Sequence, residues 1–296
     1  MVHEFASFGR WRGQVNDLDS HLETPFSRWG ELLGEQWGRV AEAFSPTGEY
    51  DSQRSIRFEA EEFWEVKHAG APGMFDLSDR LRILDTVGIR RQLVFPALMM
   101  MSKLWSDAAG RAERLRCYNE FAGRWTAESG GRVRVAATVA GGVDEVLSQA
   151  EAALAAGARA VVIQDGTTIG RCSPADPRMD PLWCMLSQAN ACALLHIGGS
   201  DAFMSSDWKL TDALNVDPAS SDLGDRLAGP HNIGTMHLSP CNYVTCLVFG
   251  GVFDRHPTLR FGVIEYGAMW AAPLLDLLTN RRSQSARAAG LQRTPR

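Results

Sequence analysis

The chain has no apolar run approaching the ~18 residues that a membrane-spanning helix requires. Its opening stretch, MVHEFASFGRWRG, lacks the apolar core of a secretory signal. Six cysteines occur, at 117, 172, 184, 192, 241 and 246, but no two have CxxC spacing. That argues against a cysteine zinc site or a disulfide framework, and for reduced, buried thiols in a cytoplasmic protein. No GxGxxG comes after the first predicted strand, so a dinucleotide fingerprint is missing. Positive charge is scarce as well. The net charge is −5, and residues 281–296 hold five Arg and no acid, which leaves 25 bases against 35 acids in the rest. This balance argues against nucleic acid as the main partner.

The residues that are present suit a soluble protein with a sizeable core. The 296 residues are 45% apolar and 22% charged, enough for one large domain or two small ones. Six short apolar strands are predicted, beginning near residues 15, 91, 133, 160, 192 and 259, with helices between them. The helix from Leu77 has Asp76 as its cap and Gly88 as its stop. Asp180-Pro181 reads as the cap and first turn of another. Alternation of strand and helix predicts an α/β fold of right-handed crossover units around parallel strands. Residues 1–14 read as a leader, about 24–75 as an inserted lid with a helix near 28–44, and 281–296 as a disordered Arg-rich tail.

Two stretches carry metal-ligand chemistry. In VNDLDSHLETP, Asp17, Asp19 and His21 alternate along a strand, so all three point the same way. Donors two residues apart on one face can grip a divalent ion, and Glu23 lies just beyond. The competing reading is a strand end that turns, with Asp19 or Ser20 capping the next segment. In ACALLHIGGS an apolar strand ends in His196 before a glycine turn, where barrel enzymes place their chemistry. A packed core histidine is the alternative there. Lys67 and His68 in the lid could meet a substrate anion, or lie in solvent.

Five segments together resemble the amidohydrolase superfamily, in the branch of amidohydrolase-related proteins similar to aminocarboxymuconate-semialdehyde decarboxylase. They are DLDSHLETP (17–25), DLSDRLRILDTVGIRRQLVFP (76–96), GARAVVIQDG (157–166), DPLWCMLSQANACALLHIGG (180–199) and LVFGGVFDRHPTLRFGVIEYGAMW (247–270). The resemblance implies a metal-dependent TIM-barrel-like fold, with about six of eight β/α units present in residues 15–280. It implies a divalent metal, zinc first with manganese or iron as alternatives, held by Asp19, His21 and His196. It makes Glu265 the acid/base. Glu23, just past the first strand, Lys67 and His68 in the lid and His237 in the loop before the last strand are the substrate-side candidates by position. The substrate is then a small organic acid or related molecule, cleaved by hydrolysis or non-oxidative decarboxylation. The relatives also carry a metal-binding Asp on a last strand, and no Asp comes after Asp276 here. The expectation from this is a shortened, catalytically impaired relative with a weak metal site, whose open strand edges a second copy could cover.

Overall fold

The computed structural model describes residues 9–44, 73–96, 104–105, 109–198, 203–209, 211 and 230–288. Lys67 and His68 lie outside the described residues. The strands are β1 (Val15–Leu22), β2 (Ile89–Pro96), β3 (Val133–Val135), β4 (Ala137–Thr138), β5 (Ala160–Val162), β6 (Cys192–His196) and β7 (Arg260–Ile264). The helices are α1 (Phe26–Leu33), α2 (Glu35–Phe44), α3 (Leu77–Val87), α4 (Arg111–Glu128) and α5 (Val143–Ala155). They continue with α6 (Asp180–Gln188), α7 (Pro230–Thr235), α8 (Leu238–Phe249), α9 (Val252–Arg255) and α10 (Ala271–Ala288). One sheet has the order β1-β2-β3 and a second the order β4-β5-β6-β7. The β1–β2, β2–β3 and β6–β7 pairs are parallel. The expected parallel α/β architecture is therefore present. No helix among the described residues is long and apolar enough to cross a membrane.

The chain divides into two compact units, residues 1–138 with 151–160, and residues 139–150 with 161–296. In the first, Val94 and Phe95 of β2 are fully buried. Trp29 and Trp37 meet edge to face at 5.2 Å, joining α1 to α2. Each satisfies its indole N–H on a carbonyl, Trp29 on Thr24 at 2.7 Å and Trp37 on Arg114 at 3.1 Å. The single helix expected near 28–44 is broken at Gly34, whose φ of 96° no helix accommodates. Helix α3 begins and ends as expected: Asp76 accepts the Asp79 N–H at 2.9 Å, and Gly88 turns left-handed. Helix α4 is pinned to the strand ends by hydrogen bonds. Tyr118 donates to the Ala136 carbonyl, and Asn119 bonds both the N–H and C=O of Thr138.

In the second unit β6 is buried along most of its length and β7 lies beside it. Asp180 is not the cap of α6. Asp176 caps a preceding 3-10 turn, and Asp180, already helical, holds Arg255 at 2.9 Å and His256 at 3.1 Å. The strand expected to begin near residue 133 is two, β3 and β4, split at Ala136. Helix α10 runs to Ala288, so residues 281–288, expected in a disordered tail, are helical instead.

One glycine makes a test of α4 packing. Gly123 sits mid-helix, where alanine ordinarily gains up to about 1 kcal/mol. A Cβ here would collide with the backbone carbonyl of Ala156. Gly123→Ala is therefore expected to destabilise the fold by about 1–3 kcal/mol, read from the urea unfolding midpoint at unchanged m-value.

Candidate functional site

Ligand-type side chains stand in each unit. On β1 the pairing with β2 is irregular: Asp17 pairs with Gln92 and Ser20 with Val94, so two residues of β1 oppose one of β2. This bulge flips the pleat. Asp17 and Ser20, three residues apart, both reach the same buried pair, Arg80 and Gln92. Asp17 therefore does not share a face with His21, and the expected three-residue row reduces to Asp19 and His21. Asp17 instead accepts Gln92 Nε2 at 2.8 Å and the Asp19 backbone N–H at 2.9 Å. His21 pairs in register with Phe95, its ring 6.1 Å from the Phe95 ring. Glu23 is half-buried just past the strand, its N–H on the Met74 carbonyl.

Arg80 is 4% exposed. It donates to Ser20 Oγ at 3.0 Å, Gln92 Oε1 at 2.8 Å and the His21 carbonyl at 2.6 Å. Burial lowers it to about 10, opposed by the nearby Asp17 carboxylate, so it stays protonated at neutral pH.

The second unit brings His196 and Glu265 together. His196 ends β6 and is 1% exposed. Its Nδ1 lies 2.9 Å from the Ile197 carbonyl. A carbonyl only accepts, so Nδ1 carries the proton, and Nε2 is the ring nitrogen that faces Glu265. Nε2 lies 3.5 Å from Glu265 Oε2, on a residue that is 43% exposed. Glu265 comes directly after β7 and is left-handed, with φ 67°. His231 sits in α7, its Nδ1 3.5 Å from the Thr235 hydroxyl, and half-buried His237 precedes α8.

Sequence reasoning missed the groups that support this pair. Buried Asp165, three residues beyond β5, accepts the Tyr266 hydroxyl at 2.9 Å. The same hydroxyl lies 3.4 Å from the His196 carbonyl. Burial raises the Asp165 carboxyl, while the hydroxyls of Ser239 and Tyr266 act in the opposite sense. The available signal was a carboxylate just beyond a strand's carboxyl end, at the face where such folds gather polar groups.

A metal fits these donors. Imidazole and carboxylate suit zinc or manganese, and a histidine whose far nitrogen is tied to a carbonyl is oriented as metal-bound histidines are.

Comparison with known proteins gives a consistent picture. The family profile described as amidohydrolase matches residues 50–295. No curated protein matches. An amidohydrolase from Mycobacterium avium subsp. paratuberculosis K-10 has a similar fold, with TM-score 0.63 and 16% identity over 95% of this chain and 80% of its own. The apo IDCase of Metarhizium anisopliae gives 0.54 and 16%, covering 95% and 74%. The 5-carboxyvanillate decarboxylase of Novosphingobium aromaticivorans, solved with manganese and a nitrobenzoic acid, gives 0.54 and 15%, also covering 95% and 74%. At such identities these likenesses speak to fold.

The second unit can be tested in two ways. Glu265→Gly is expected to be more stable than Glu265→Ala by about 1 kcal/mol, because glycine adopts the left-handed turn without strain. Paired thermal melts check this. Asp165 has a folded pKa above its unfolded value, so its contribution is fully present below the unfolded pKa and is lost as pH rises through the folded one. Asp165→Asn should then gain stability relative to the parent as pH rises from 4 to 8, read by urea unfolding across that range.

Proposed function

The chain belongs to the amidohydrolase family, and from that premise we propose that it is a metal-dependent, non-oxidative decarboxylase of a small organic acid. The observation that carries this reading is the His196–Glu265 pair. A buried histidine with a fixed tautomer faces a partly exposed carboxylate 3.5 Å away. Asp19 and His21 of β1 complete the proposed ligand set with His196. The decarboxylase neighbour that holds manganese supports the choice of reaction and makes manganese a candidate beside zinc. The six cysteines are free thiols, which supports a reducing, cytoplasmic setting.

When bound, the ion would act as a Lewis acid on substrate oxygens. The chain's own residues do the rest. Nδ1–H of His196 donates to the Ile197 carbonyl, which fixes the plane of the ring and makes Nε2 the nitrogen that would ligate. Glu265, in its protonated form, delivers its proton from Oε2 to the substrate carbon as the C–C bond to the carboxyl group breaks and carbon dioxide leaves. The bonding electrons stay on that carbon and take up the proton, so no oxidant or reductant is needed. The exposure of Glu265 lets it regain a proton from water. Glu23 and His237, with Lys67 and His68, are proposed as substrate-side groups.

The test is to strip the protein with chelator, reload it with manganese or zinc, and measure carbon dioxide release from a panel of aromatic and aliphatic carboxylates. A parallel panel of lactones and amides tests hydrolysis. Glu265→Gln is expected to lower kcat by ~10²–10⁴-fold with KM changed only a few-fold. Activity that survives chelation, or a fully active Glu265→Gln protein, would falsify this function.

A further inference from the structure

We infer that Arg80 is a positioning residue for the β1 ligand pair, clamping the bulge that carries Asp19 and His21. The inference rests on the proposed ligand role of those two residues. Its geometry lies wholly within the first unit. The guanidinium grips β1 on the C-terminal side of the bulge, through Ser20 Oγ and the His21 carbonyl. It grips the N-terminal side through Gln92, which relays to Asp17, whose other carboxylate oxygen takes the Asp19 N–H. On β1, every group in this relay is within two residues of Asp19 or His21, yet no ligand side chain is used up by it. The relay spans the point where pairing with β2 slips by a residue.

Leu18 is 61% exposed, so apolar packing does not fix the bulge. A cation 4% exposed does. Its planar fork has fixed donor directions, so the two halves of the bulge are set at defined positions relative to α3 and β2. Removing a residue that orients metal ligands typically lowers metal affinity 10–100-fold without removing a ligand. A residue holding only the fold would lower the melting temperature and leave the affinity of the folded protein unchanged.

The experiment uses the full chain, stripped of metal, and Co²⁺ as the probe. Affinity is read by competition with a chromophoric chelator, and ligand geometry by the visible absorption of bound Co²⁺. Measurements are made well below each variant's melting temperature. The parent should bind one Co²⁺ and His21→Ala should lose most of that affinity. Arg80→Lys, which keeps the charge but not the fork, is expected to lose ~10–100-fold in affinity with a shifted cobalt spectrum. Should Arg80→Lys fail to fold, Ser20→Ala and Asp17→Asn carry the test. Each cuts one arm of the clamp and is expected to weaken Co²⁺ binding severalfold with the buried cation intact. Variants that fold and bind Co²⁺ with the parent's affinity and spectrum overturn the inference. A parent that takes up no Co²⁺, or a His21→Ala protein that binds normally, overturns the ligand assignment itself.

Discussion

A guanidinium withdrawn from water has to find its hydrogen bonds inside the protein, and in the first unit this requirement governs β1. Arg80 is matched by a hydroxyl, an amide oxygen and a main-chain carbonyl, all within 3.0 Å. An unmatched buried charge costs several kcal/mol, more than any one apolar contact on this strand could return. The register of β1 therefore depends on polar matching. Its apolar content could not set it, because only Leu22 of the eight residues is buried. Slipping the strand by one residue would bring the wrong face to Arg80 and leave the cation without Ser20. The bulge is the geometry that lets Asp17 and Ser20 both face the cation while His21 turns the other way, toward Phe95.

The second unit obeys the same logic with the opposite charge. Asp165 is a buried carboxyl that accepts the Tyr266 hydroxyl. Its partner Tyr266 also reaches the His196 carbonyl and is the next residue after Glu265. In each unit one buried polar network lies behind a strand end, and in each it fixes main-chain atoms of the candidate functional residues rather than their side chains.

The parts legible in the sequence were those set by local chemistry. Asp76 and Gly88 bound α3 because a cap and a left-handed stop need only near neighbours. The apolar run into His196 is a strand because short runs rich in apolar residues pair well wherever both faces are covered. The features that stayed hidden depend on partners distant in sequence. The bulge belongs to the β1–β2 pairing, so the even spacing of Asp17, Asp19 and His21 misled by assuming a regular pleat. The split at Ala136 arises because its N–H still bonds Val94 while the next two residues join another sheet. Asp180 has the sequence of a cap, but Arg255 and His256, some 75 residues away, engage its carboxylate. Helix α10 continues into a stretch whose polar composition resembled a tail.

Glu265 joins strain to chemistry. A left-handed conformation costs a side-chain-bearing residue about 1–2 kcal/mol, and glycine or asparagine would relieve it. The turn is nonetheless over-determined from both sides. Before it, β7 is locked in parallel register with β6 through Ile264, opposite His196. After it, Tyr266 is 3% exposed and held by Asp165, and Gly267 is left-handed as well. Between two fixed points the chain has one residue in which to reverse, and that residue bears the carboxylate facing His196. Strain of this kind persists where the surroundings impose it, and it gathers at sites whose function depends on direction. The Asp165–Tyr266 bond is thus what converts a costly backbone angle into a defined distance between an imidazole nitrogen and a carboxylate oxygen.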